Sequence, residues 1–130
     1  MPDQPSPVNG TRLRVLVVDD EALVADYVAD LVEEAGHDVV GIAATGERAL
    51  AYLARDGVDL AILDIKLKGT TTGIDLAVEA RRRAVPHVFI TGSGDPATRE
   101  AALATAPLDF LQKPLDQRRL REVLARAAGR

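Results

Sequence analysis

Leu13-Arg14-Val15-Leu16-Val17-Val18-Asp19-Asp20-Glu21 is a near-continuous apolar run that ends abruptly in three acids. A strand buried on both faces of a sheet reads this way, because neither face can carry the polar half of an alternating pattern. Immediately after the acids, Leu23, Val24, Tyr27, Val28, Leu31, Val32 and Ala35 recur at i, i+4 and i+8, the spacing of one helical face. Gly36 then supplies a stop. The unit is a buried strand, an acidic turn and an amphipathic helix.

Working outward, the same unit repeats along the chain. Val39–Ala44 reads as a second strand, and Glu47–Arg55 as a short helix carrying Ala49, Leu50 and Leu53, closed by Asp56-Gly57. Leu60–Leu63 is a third strand stopping at Asp64, followed by a polar, Gly-containing loop over 65–72. Ile74, Ala77 and Val78 open a third helix, which the short distance to the next strand predicts to be abbreviated. Val88–Ile90, entered through Pro86, is a fourth strand, and Asp95–Ala104 a weak, Ala-rich helix. Leu108–Leu111 is a fifth strand, and Leu120, Val123, Leu124 and Ala127 mark the closing helix.

Five strands alternating with five helices predict an α/β protein with a five-stranded parallel sheet and helices on both faces. Right-handed crossovers leave few topologies, and the flavodoxin-like strand order 2-1-3-4-5 is the common one.

Composition bounds the function. The 130 residues suit one domain, with residues 1–11 read as a flexible tail and 12–130 as the folded unit. Apolar residues make up 47% and aromatics 3%, so Leu, Val, Ile and Ala must fill the core. The absence of Cys removes disulfides, thiolate metal sites and a Cys nucleophile. No apolar run approaches a membrane span, and the amino terminus lacks the basic and apolar segments of a signal peptide, so a cytoplasmic location is expected. A net charge of −4 argues against sequence-blind nucleic-acid binding.

In the order 2-1-3-4-5 the first and third strands are neighbours, and ligands bind outside the carboxyl ends of the strands. Asp19, Asp20 and Glu21 end the first strand and Asp64 the third, so these acids converge on one crevice. The fourth strand ends at Thr91-Gly92-Ser93 and the fifth at Gln112-Lys113-Pro114. With three Lys against thirteen Arg, a Lys at a strand end is informative. Clustered carboxylates repel, and a divalent cation relieves them. Oxygen ligands in a small open site favour Mg²⁺. Mg²⁺, an ammonium and a hydroxyl together stabilise a transferring phosphoryl group. A carboxylate nucleophile can accept that group, and Asp64 is placed to do so.

These residues resemble the response-regulator receiver domains of two-component signalling, in their single-domain, chemotaxis-regulator-like form. The resemblance runs through Val17-Val18-Asp19-Asp20-Glu21, Ala44-Thr45-Gly46-Glu47-Arg48-Ala49-Leu50, Leu63-Asp64, Phe89-Ile90-Thr91-Gly92 and Phe110-Leu111-Gln112-Lys113-Pro114, covering about residues 12–128. It implies that Asp64 takes a phosphoryl group from a sensor histidine kinase or histidine phosphotransfer protein. It implies Mg²⁺ at Asp19, Asp20, Asp64 and the backbone carbonyl of Lys66, with Asp19 acting through water. Thr91 would bond the phosphoryl group, Lys113 would pair with it, and Lys113-Pro114 would be cis. Phe110 occupies the place of a switching aromatic that is often Tyr. Without the phenolic hydroxyl, its inward state would rest on packing alone.

The resemblance further implies a regulator that assists its own phosphorylation and dephosphorylation rather than an enzyme. Output would pass to a downstream protein through helix 4, strand 5 and helix 5, or the protein would serve as a phosphate sink, with no direct nucleic-acid or membrane partner. The chain ends soon after its last helix, so no effector domain is expected to follow, although a receiver excised from a longer protein would look the same. Departures are Lys68 where relatives often carry Pro, and Lys66 and Ser93 at two positions that tune phosphate lifetime.

Blander readings stand beside these. Asp19 and Asp20 could cap the first helix. Arg81-Arg82-Arg83 reads as a solvated helix end, and Arg118, Arg119, Arg121 and Arg126 as a solvated basic face or a partner surface. His37 and His87 read as surface or turn residues away from the site. A phosphorylation-independent pseudo-receiver is the alternative function. A phosphatase with an aspartate nucleophile would need a second acid two residues after Asp64, where Lys66 stands. A dinucleotide-binding fold would need a Gly-rich turn where the acids are.

Overall fold

The computed structural model describes residues 12–67, 69–92 and 95–129. The tail, Lys68 and Ser93 lie outside the described residues. Strands β1 (Arg14–Val18), β2 (Asp38–Ala43), β3 (Leu60–Asp64), β4 (His87–Thr91) and β5 (Asp109–Gln112) form one parallel sheet in the order β2-β1-β3-β4-β5. Between and after them run α1 (Ala22–Glu34), α2 (Gly46–Ala54), α3 (Gly73–Arg82), α4 (Pro96–Leu103) and α5 (Gln117–Ala128). The expected fold class and strand order are both observed.

Side chains alternate across each strand, and this alternation divides the core in two. Val15, Val17, Leu60, Ile62, Val88, Ile90 and Leu111 face α1 and α5, meeting Val28, Leu31, Val32, Leu120, Val123 and Leu124. Leu16, Val18, Ala61, Leu63 and Phe89 face α2, α3 and α4, meeting Ala49, Leu53, Leu76, Ala77 and Ala102. The central strands β3 and β4 are buried at every residue, as their unbroken apolar runs require.

Four of the five helices begin on a side-chain cap. Thr45, Asp95 and Asp116 accept from Arg48, Thr98 and Arg118 backbone N–H groups. Thr72 and Asp75 form a reciprocal capping box. α1 begins at Glu21 without one, because Asp19 Oδ1 instead takes the Glu21 N–H at 2.9 Å. Asp19 and Asp20 are therefore not the cap of α1.

The edge strand β2 is irregular. Val15 pairs with Val39 but Leu16 pairs with Gly41, leaving Val40 as the extra residue of a bulge. Gly41 lies directly beneath Tyr52 of α2, where a Cβ would come within 2.4 Å of the ring.

Three expectations need correction. α3 has 10 residues and is not abbreviated, because the capping box starts it at Gly73 and the turn into β4 is tight. The buried face of α1 is Ala25, Val28, Ala29, Leu31 and Val32, whereas Leu23 is 85% exposed, because the stripe is rotated toward the small residues. His37 and His87 are buried rather than on the surface. His37 Nδ1 accepts the Leu13 N–H at 3.0 Å. His87 Nε2 lies 2.9 Å from Thr105 Oγ1, whose own proton goes to the Ala102 carbonyl at 2.6 Å, so His87 is the donor. Burial pushes both imidazoles below their usual pKa. Both lie toward the amino edge of the sheet, away from the acids, as expected.

Candidate functional site

β1 and β3 are hydrogen-bonded neighbours with Val18 opposite Leu63, so the residues that follow each strand emerge side by side. This register brings Asp19, Asp20 and Asp64 together, with one carboxylate oxygen of each within 4.8 Å of the others. Asp19 and Asp64 are buried, and Asp20 is half-buried. Asp64 Oδ1 accepts the Lys66 N–H at 3.3 Å. Burial and the neighbouring Asp19 charge push the Asp64 carboxyl up to about 6, against the opposing pull of Lys113 and the Lys66 N–H.

β4 and β5 supply the other side. Thr91 ends β4 and is buried. Its carbonyl takes the Lys113 N–H at 2.8 Å, which fixes the start of the loop carrying that lysine. The Lys113-Pro114 peptide is cis, as expected. The Lys113 Nζ stands 2.9 Å from Glu21 Oε1, 3.2 Å from Asp19 Oδ2 and 3.7 Å from Asp64 Oδ2. Burial lowers its pKa, but the bonds to Glu21 and Asp19 and the charges of Asp64 and Asp19 outweigh this and raise it above the ordinary lysine value. Asp20, Glu21, Asp64, Lys66, Thr91, Gly92 and Lys113 line one open cleft of about 320 Å³.

The donor set suits a hard divalent cation. Three carboxylates converge, two of them buried, with the Lys113 ammonium against them and Glu21. Oxygen-only ligands in a cleft open to water match Mg²⁺, which keeps several of its waters.

Two features of the site were not foreseen. Glu21, read only as one of the acids ending the first strand, is the nearest partner of Lys113. Gly73, the first residue of α3, packs so closely that a Cβ would lie 2.0 Å from the Asp64 carbonyl oxygen, and its N–H bonds the Ile65 carbonyl at 3.0 Å. A glycine opening a helix after a polar loop was the only signal for the latter. The same loop is braced from α2. Glu47 accepts from the Thr70 and Thr71 hydroxyls, and Gly46 leaves room for Thr71.

Phe110 on β5 is half-buried opposite Phe89, with ring centroids 6.0 Å apart. Arg99 of α4 lies over the ring with its guanidinium carbon 4.5 Å from the centroid. A groove of about 850 Å³ beside it runs between α4, β5 and α5, lined by Arg99, Leu103, Phe110, Gln112 and Arg119 among others. Asp109 pairs with both Arg119 and Arg126, which ties two arginines of the basic α5 face to the protein itself. Arg82 and Arg83 both pair with Glu79.

Among the described residues no helix is long and apolar enough to cross a membrane. A doubly wound parallel sheet with clustered aspartates, a threonine and a lysine at its carboxyl edge defines a class of phosphoacceptor signalling domains. The chain belongs to the response regulator receiver domains, whose family model matches residues 15–125. It is 34% identical over 102 residues to the transcriptional regulatory protein PdtaR of Mycobacterium tuberculosis, covering 78% of this chain and 49% of that protein. It is 38% identical over 112 residues to the transcriptional regulatory protein AruR of Pseudomonas aeruginosa, covering 82% and 46%. The chain thus spans about half the length of these two relatives. Among solved structures, the signal receiver domain of a modulated diguanylate cyclase from Desulfovibrio desulfuricans G20 superposes with a TM-score of 0.85 at 31% identity, over 91% of this chain and 94% of that one. The receiver domain of NtrX from Brucella abortus gives 0.78 at 34% identity, over 88% and 97%. Receiver domains of two-component response regulators are regulatory phosphoacceptors.

Proposed function

We propose that Asp64 is the phosphoacceptor of this receiver domain and that Asp19, Asp20 and Asp64, with the Lys66 backbone carbonyl, hold Mg²⁺. The observation that supports this reading is the convergence of three aspartates from two adjacent strands opposite Lys113. Asp19 would act on the ion through water. A carboxylate oxygen of Asp64 attacks phosphorus in the phosphohistidine of a sensor kinase or phosphotransfer protein. The P–N bond breaks, imidazole leaves with a proton from solvent, and an acyl phosphate forms on Asp64. Mg²⁺ bound at these aspartates supplies charge neutralisation for the phosphoryl oxygens. Lys113 pairs with one phosphoryl oxygen and the Thr91 hydroxyl donates to another.

Drawing Thr91 toward the phosphoryl group then carries a rearrangement to Phe110 and the surface of α4, β5 and α5. There a downstream protein reads it, or the phosphate is lost to water and the protein acts as a sink for a shared kinase. The test is incubation with Mg²⁺ and a small acyl-phosphate donor, followed by intact mass spectrometry. One added phosphate is expected on the wild type, none on Asp64→Asn, and one on Lys113→Ala, since Lys113 does not attack. Stoichiometric phosphate on Asp64→Asn would reject the assignment.

A further inference from the structure

Lys113 sits closer to Glu21 and Asp19 than to the acceptor in this structure. Its Nζ is 2.9 Å from Glu21 and 3.2 Å from Asp19, but 3.7 Å from Asp64, beyond hydrogen-bond reach. Glu21 is free to do this because it caps nothing, α1 being begun without a side-chain cap. The two partners differ in kind. Asp19 is buried and bonded to the Glu21 backbone N–H, so its position is fixed. The Glu21 side chain is 62% exposed and can let go without leaving a buried charge unpaired.

We infer that Glu21 is a positioning residue that holds the Lys113 ammonium closer to itself than to Asp64 in the unphosphorylated protein and competes with the phosphoryl group for it. The inference rests on the reading of Lys113 as the partner of the phosphoryl group. This leaves Asp64 Oδ2 with an ion pair to Lys113 but no lysine hydrogen bond before transfer. Afterwards the phosphoryl oxygens, more highly charged than the Asp64 carboxylate, draw the ammonium across. Each phosphorylation therefore includes the breaking of one exposed ion pair.

Removing that competitor favours the phosphorylated geometry. Exposed ion pairs are worth little, so the effect is a modest one, about two- to fivefold. The experiment titrates beryllofluoride at saturating Mg²⁺ into the wild type, Glu21→Gln, Lys113→Gln and the double variant. Calorimetry or NMR reports binding, the chain having no Trp. Glu21→Gln should bind about two- to fivefold more tightly than wild type. The gain should be absent when Lys113 is already Gln, and it should shrink as salt is raised in the wild-type background. Loss of a negative charge alone would also favour an anion, but that effect would persist without Lys113. A gain of equal size in the Lys113→Gln background, or no gain at all, overturns the role of Glu21. If Lys113→Gln binds beryllofluoride as well as the wild type, it is the reading of Lys113 itself that fails.

Discussion

The Arg99 guanidinium lies over the face of the Phe110 ring, 4.5 Å from its centroid, and so joins α4 to β5 through a contact that needs no hydroxyl. The ring face is electron-rich and attracts a cation. A phenylalanine here cannot form the phenolic bond of a tyrosine, but it keeps this electrostatic tie to the neighbouring helix. Any displacement of the ring must therefore carry Arg99 with it or break the contact. Arg99→Gln is expected to cost about 0.5–1 kcal/mol in urea unfolding, the range for exposed pairs of this kind. The ring resonances of Phe110 should move in the same variant. Unchanged stability together with unmoved resonances would show the contact to be incidental.

Asp64 holds its proton to about 6 in the folded protein against 3.8 for an ordinary carboxyl. Between those values the folded state binds more protons than the unfolded chain. In metal-free buffer this group therefore makes stability fall as pH rises through that window, by up to about 3 kcal/mol, and the deficit stays constant above it. Asp64→Asn should be the more stable protein at pH 7.5 in chelator, and the difference should close as pH falls below 4. Saturating Mg²⁺ should remove most of the difference at pH 7.5. The two buried imidazoles act in the opposite sense, their folded pKa values being lowered, so they withdraw stability below their ordinary value near 6.5. Both proteins share that contribution, and comparing the two curves cancels it. A wild type that is the more stable at pH 7.5 without metal would contradict the assignment.

Asp20 is half-buried and lines the cleft, so its carboxylate can be neutralised without opening the core. Asp20→Asn should lower Mg²⁺ affinity by roughly tenfold or more, since even outer-shell groups are worth that much at metal sites. Without metal the same change should leave stability equal or raised, because it removes one of three mutually repelling charges. Equal Mg²⁺ affinity in the two proteins, by NMR titration, would remove Asp20 from the metal centre.

Gly73 carries a steric prediction. A methyl group there would lie 2.0 Å from the Asp64 carbonyl oxygen and 2.7 Å from the Ile65 Cα, both backbone atoms that cannot rotate away. Gly73→Ala should cost about 1–3 kcal/mol, the usual penalty for overpacking, despite the better helix propensity of Ala. It should also slow phosphorylation, because relief of the clash moves Asp64. A stable variant with wild-type phosphorylation would mean that α3 can retreat freely.

The strand order and the gathering of Asp19, Asp20 and Asp64 were legible because they follow from period and position. Buried parallel strands announce themselves as apolar runs, and the residues ending them must meet at one edge. What stayed hidden depends on distances between segments far apart in the chain. Nothing near residue 21 says that Glu21 reaches Lys113 rather than solvent, and nothing near residue 99 says that Arg99 finds a ring on β5. His37 and His87 were misplaced for a related reason. Each is a polar residue at an element boundary, ordinarily a surface position, and each is buried because one partner satisfies it, the Leu13 N–H in one case and the Thr105 hydroxyl in the other. Leu23 misled in the opposite direction, since period alone cannot tell which edge of an apolar stripe the sheet will cover.

The bulge at Val40 bears on how this protein behaves at high concentration. β2 is an outer strand, and Val40 and Ile42 on it are each about 40% exposed. A straight apolar margin of that kind would invite another molecule to extend the sheet and seed fibres. The extra residue throws the outward-facing amides and carbonyls out of step, so an incoming strand finds no continuous ladder to join. A small irregularity far from the acids thereby helps the molecule to avoid sticking to copies of itself.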